Sequence, residues 1–163
     1  MKIQMKRVNA IVHDDLFCRL ISMIDEKEKD RIFCRHGMDH LLDVARIAYI
    51  ISLEESMNIP KDIIYTAALL HDIGRADPDN TGERHHVLSV SLAGKVMDNC
   101  GFDEKEIVQV LDAIDSHNTD GDNREGLAYI LYKADKLSRD CFSCNARSDC
   151  YWPSDEKNMD IQY

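Results

Sequence analysis

The sequence predicts an all-α fold, a single-domain helical bundle with about six main helices, and three observations carry that prediction. Apolar residues recur at helical spacing along most of the 163-residue chain. No segment alternates apolar and polar residues in the manner of a half-buried strand. Breakers fall between the periodic segments, at Asn58-Ile59-Pro60, Gly74, Asp77 to Gly82, Gly101 and Asn118 to Asn123, and no proline lies inside one.

The elements follow in order. A helix over 14–29 opens at Asp14, whose carboxylate suits an N-cap, so the His13-Asp14 pair needs no further role. The next, over 37–55, buries Val44, Ile47, Ala48 and Ile51. A third covers 60–73 and stops at Gly74, a fourth covers 85–99 before Gly101, and a fifth over 103–118 carries Ile107, Val110, Leu111 and Ile114. The sixth, 125–139, has its stripe at Leu127, Ile130 and Ala134. Residues 1–139 form the helical domain in this reading, and the aperiodic tail 140–163 packs on it.

Composition narrows the functional classes. Residues of the apolar set make up 44% and charged residues 31%, with only seven Gly and three Pro, which excludes a collagen-like or disordered chain. No run approaches the ~18 apolar residues of a membrane span; the best, Val44 to Leu53, contains Arg46. Met1 to Arg7 has no apolar stretch behind its charges, so a cytoplasmic protein is expected. Thirty acidic against 20 basic residues leave a charge of -10, which disfavours nucleic-acid polymers and anionic membranes as partners. A small phosphorylated substrate remains compatible, given a local source of positive charge such as a bound metal.

Polar residues standing in apolar stripes mark such a source. His40 lies one turn before Val44 on the buried face of its helix. Ile64 and Ala67 lead to His71; Val110 and Ile114 lead to His117; Leu131 is followed at i+4 by Asp135. One inward histidine is commonly a core residue bonded to a carbonyl, but an unpaired inward carboxylate is very costly. Four such groups on four helices, with Asp72 beside His71, share a solution in a cation held by imidazoles and carboxylates. His71 and Asp72 also fall in the last turn of their helix in this reading, where the dipole favours positive charge.

The order His40-Leu41-Leu42-Asp43-Val44-Ala45, then Ala67-Ala68-Leu69-Leu70-His71-Asp72 with Ile73-Gly74-Arg75, then Tyr132-Lys133-Ala134-Asp135-Lys136 resembles the HD superfamily of metal-dependent phosphohydrolases over residues 36 to 139. The resemblance implies an HD-type helical bundle in which His40, His71, Asp72 and Asp135 hold one divalent ion. Many members hold a second, through histidines that here correspond to His85, His86 and His117, with Asp72 bridging and His85 slightly preferred to His86. Iron, manganese, magnesium or nickel would suit. Small bacterial HD hydrolases that split diadenosine tetraphosphate symmetrically are similar, although they usually carry Ala-Lys and a Thr where this chain has Gly74-Arg75 and Asn118.

Catalysis by metal-activated water at His71 and Asp72 is therefore expected, on a phosphate ester or anhydride of a nucleotide or another small phosphorylated metabolite. Arg75, Lys133, Lys136 and Arg139 are the basic residues near the motifs for phosphate oxygens, with His36 one turn before His40 as a further substrate group. The alternatives are an HD-fold di-iron oxygenase and a non-catalytic binding module with structural metals. Cys141-x2-Cys144-x5-Cys150 has metal-ligand spacing, and Cys34 lies six residues before His40 as Cys141 lies six after Asp135. Those four cysteines suggest a second centre, structural zinc ahead of an iron–sulfur cluster, the bland reading being unliganded thiols.

Overall fold

A computed structural model describes residues 5–117 and 123–163, and the described residues are helical without a strand. Seven α-helices follow one another: α1 Lys6–Val12, α2 Asp15–Lys27, α3 Met38–Glu54, α4 Lys61–Leu70, α5 His85–Asn99, α6 Glu104–Ser116 and α7 Gly126–Leu137. Short 3-10 turns occupy Ile73–Ala76, Cys141–Ser143 and Ser154–Glu156. No helix among the described residues is long and apolar enough to cross a membrane.

Local chemistry sets several boundaries. The Asp14 carboxylate accepts the Phe17 N–H at 3.0 Å and caps α2. Asp103 and Glu106 form a reciprocal capping box at the start of α6. The periodicity of α1 is too short to read from sequence, since the helix has seven residues and buries only Val8 and Ile11. Arg7 fastens it instead, with Nη2 2.6 Å from Asp62 Oδ2 on α4 and Nη1 2.5 Å from Glu106 Oε2 on α6.

In the bundle α3 packs on α4 and α7, and α6 packs on α4, α5 and α7. The core runs from Phe17, Leu20 and Ile24 through Leu41, Val44 and Ile51 to Ile64, Leu69 and Ile114. The turn Ile73–Ala76 is wedged between α2 and α5. It corrects the sequence-based expectation of a helix through residue 73, because α4 ends at Leu70 and His71 and Asp72 follow that end.

Gly74 explains the early stop. A Cβ there would stand 2.0 Å from the His85 carbonyl oxygen and 2.5 Å from Ser89 N, while the Gly74 N–H donates to Ser89 Oγ at 2.8 Å. Only a residue without a side chain lets α5 descend this far over His71-Asp72. Gly74→Ala is expected to lower the stability of the metal-free protein by about 1–3 kcal/mol, from overpacking against backbone. Urea denaturation checks this, and an unchanged midpoint would show that the contact yields at no cost.

Candidate metal centre

Three helix ends converge on the first group of ligands. His40 enters from the first turn of α3, His71 and Asp72 follow α4, and Asp135 comes from the last turns of α7. His40 Nε2 lies 3.4 Å from Asp135 Oδ1 and 3.6 Å from Asp72 Oδ2. His71 Nε2 lies 3.3 Å from the same Asp72 oxygen and 3.8 Å from Asp135 Oδ1. One ligand atom from each of these four residues falls within 4.8 Å of all the others.

The other oxygen of Asp72 serves a second group. Asp72 Oδ1 is 3.4 Å from His85 Nε2, at the start of α5, and 3.9 Å from His117 Nε2, just after α6. Asp72, His85 and His117 again place ligand atoms within 4.8 Å of one another. Asp72 thus turns one oxygen to each group.

The backs of the imidazoles fix which nitrogen is available. His71 Nδ1 donates to the Ala68 carbonyl at 2.7 Å, and His117 Nδ1 donates to the Ile114 carbonyl. Ser138 gives its hydroxyl proton to the Asp135 carbonyl at 2.8 Å, so its oxygen accepts from His40 Nδ1 at 3.3 Å. In the neutral tautomers this network assigns, all three Nε2 atoms would offer lone pairs to an ion beside Asp72. His40 Nε2 and His71 Nε2 are buried and have no hydrogen-bond partner, and Asp72 Oδ1 has none beyond its ion pair with Arg75. Buried polar atoms are normally satisfied, and cations at these two groups would satisfy these. The donor set, imidazole nitrogen with carboxylate oxygen, suits divalent ions such as manganese or iron.

Electrostatics agree with that fit. Burial alone would depress His71, but the Asp72 and Asp135 carboxylates outweigh it and push it up to about 10. Burial alone would raise Asp72 and Asp135; the surrounding imidazoles hold both well below the usual carboxylate range. His85 and His117 are pushed down to about 4, chiefly by burial, then by Arg75 for His85 and by His71 for His117. Without metal, a proton on His71 supplies the positive charge that the carboxylates demand.

A pocket of about 160 Å³ opens beside His40 and Asp135. His36, Arg75, Lys136 and Arg139 line it, joined by Arg31, Phe33, Tyr151 and Trp152, which sequence reasoning did not single out. The Arg139 guanidinium sits 3.6 Å from the centre of the Trp152 ring, and Lys136 Nζ 4.9 Å from it. Arg75 Nε lies 2.9 Å from Asp72 Oδ1. His36 Nδ1 pairs with Glu28 Oε1 at 2.7 Å.

Other expected site residues are placed elsewhere. His86 stands outside both ligand groups. Lys133 donates to Glu55 Oε1 and to the Tyr129 hydroxyl, each at 3.0 Å, and does not line the pocket. Cys34, Cys141, Cys144 and Cys150 surround a neighbouring cavity of about 240 Å³. Ser138 and Glu28 were missed as supporting groups; Ser138 lies at helical spacing from Asp135, whereas Glu28 left no periodic signal.

A helical bundle that gathers His, His-Asp and Asp around a cation-sized gap defines a class of metal-binding fold. The HD domain family profile matches residues 37–140, and the chain belongs to the HD domain family. It is similar to an uncharacterized protein of Clostridium beijerinckii, 40% identical over 98% of this chain and 100% of the relative. It is also similar to ribonuclease Y of Mycoplasma capricolum, 28% identical over 77% of this chain, and of Mesoplasma florum, 29% identical over 76%. The matched region spans only 23% of each of those ribonucleases. Among solved structures nothing matches.

Metal uptake must displace the His71 proton, so affinity for manganese is expected to rise with pH, roughly tenfold per unit for one proton from pH 7 toward about 10. His85 and His117, already neutral above about pH 5, add nothing to that slope. Competition with a chelator at several pH values checks the dependence. Ser138→Ala is expected to weaken binding roughly 10–100-fold by releasing His40.

Proposed function

We propose that the protein is a metal-dependent phosphohydrolase acting on a small phosphate ester or anhydride, with a nucleotide as the preferred substrate class. The observation that carries this reading is the adjacency of a carboxylate shared by two ligand groups to a pocket walled by four cationic and three aromatic side chains. His40, His71, Asp72 and Asp135 would hold one ion, and Asp72, His85 and His117 a second. Divalent ions bound there supply water acidified toward neutral pH and charge stabilisation for an attacked phosphoryl group.

The remaining work falls to protein side chains. Arg31, Arg75, Lys136 and Arg139 bind phosphate oxygens and bring them against His40 and Asp135. Arg75, tied to Asp72, sets the distance between phosphate and carboxylate. Phe33, Tyr151 and Trp152 supply apolar faces on which a nucleobase stacks. The Glu28–His36 pair braces the pocket edge next to His40, whose ring lies 5.3 Å from that of His36.

A small substrate suits this site better than a polymer. The pocket is about 160 Å³, and the chain's charge of -10 repels extended polyanions. The similarity to ribonuclease Y supports phosphoester chemistry and leaves the substrate to be assigned by assay. A screen of mononucleotides, dinucleoside polyphosphates, sugar phosphates and oligoribonucleotides tests the reading with manganese and with iron. Turnover confined to oligoribonucleotides would overturn the small-substrate reading, and oxygen consumption with an organic substrate would overturn hydrolysis.

For the substrate found, Arg75→Ala is expected to lower kcat/KM by roughly 10–100-fold, the value of a charge-assisted hydrogen bond. Lys133→Ala should leave kinetics unchanged, because that ammonium is engaged with Glu55 and Tyr129 outside the pocket. A folded Asp72→Ala protein with full activity would remove the basis of the proposal.

A further inference from the structure

We infer that Cys34, Cys141, Cys144 and Cys150 ligate a four-iron iron–sulfur cluster, separate from the histidine–aspartate centre. All four cysteines are free thiols, and all four line one cavity of about 240 Å³. Cys34 comes from the connection between α2 and α3, the other three from the tail after α7. The topology thus draws thiols from two distant stretches of chain to one place.

Their separation favours the larger of two occupants. A tetrahedral zinc with Zn–S bonds of ~2.3 Å holds its sulfurs about 3.8 Å apart. The described residues contain two groups of three or more ligand atoms within 4.8 Å of one another, and neither includes a cysteine. A cuboidal cluster takes one thiolate at each of its four irons and seats them further apart around a larger volume. The cavity of about 240 Å³ that the four cysteines line leaves room for such a core.

Charge and packing agree. Four thiolates bring negative charge to the cavity, and Arg139, Arg147 and Lys157 line it. Lys157 Nζ donates to the Cys150 carbonyl at 3.3 Å and Arg31 Nε to the Cys34 carbonyl at 2.7 Å, fixing both backbones. Beyond residue 140 only Ala146 is buried, and no α-helix forms. A segment with so little core of its own folds when a metal centre staples it. Cys34, Cys150 and Arg139 also line the cationic pocket, so the cluster would hold the tail that carries Tyr151 and Trp152 against it.

The full chain, purified anaerobically and reconstituted with ferrous iron and sulfide, tests this. About four acid-labile sulfides per chain are expected, with a broad absorption band in the 400 nm region that bleaches on reduction by dithionite. Cys144→Ser should lose most of the sulfide, while His71→Ala should keep it and lose only the metal of the histidine–aspartate centre. One zinc per chain without labile sulfide would overturn the inference. So would four thiols in the folded wild-type chain that react with a thiol reagent after reconstitution. The wild-type sulfide content decides the matter even if Cys144→Ser does not fold.

Discussion

Asp72 is 2% exposed, yet it faces four imidazoles and a guanidinium, and the arrangement of the bundle follows from keeping that carboxylate ionised. An isolated buried carboxylate would be prohibitively unfavourable. Each helix that meets it therefore brings a compensating group: His40 from α3, His71 beyond α4, His85 from α5 and His117 beyond α6. Asp135 adds a second negative charge, and that excess of carboxylate is what lifts His71 and makes the place attractive to a divalent ion. Gly74 permits the convergence by letting α5 press onto the turn that follows Asp72.

Much of this was legible in the sequence because helices convert spacing into direction. His40, His71, His117 and Asp135 each interrupt an apolar stripe, so periodicity alone aims them inward. Where periodicity gives out, so does the reading. His85 and His86 share a first turn, and the choice between them rests on how closely Gly74 lets α5 approach, a tertiary fact. Lys133 and Lys136 are three residues apart on α7, but Glu55, just after α3, draws one away while the other stays beside Asp135. The end of α4 was placed too late for the same reason, since nothing local at residues 71–73 announces the contact with Ser89.

The tail carries no period at all, and here composition alone spoke, through cysteines at ligand spacing. Arg31, Phe33, Tyr151 and Trp152 gave no signal because their role depends on the tail folding back over the connection between α2 and α3. Asn158 shows how that return is held: its side-chain amide donates to the Lys136 and Arg139 carbonyls at the end of α7, both at 2.8 Å. The loose ends of a helical domain are thereby turned into the wall of its pocket.

The stacking of Arg139 on Trp152 has an optical side. The chain contains one tryptophan, and that residue lines the pocket where the tail, the thiols and the histidine–aspartate centre meet. Indole emission responds to neighbouring charge and solvent, and no second indole dilutes the signal. The protein thus carries its one indole fluorophore at the pocket, with the Arg139 guanidinium 3.6 Å from the ring centre.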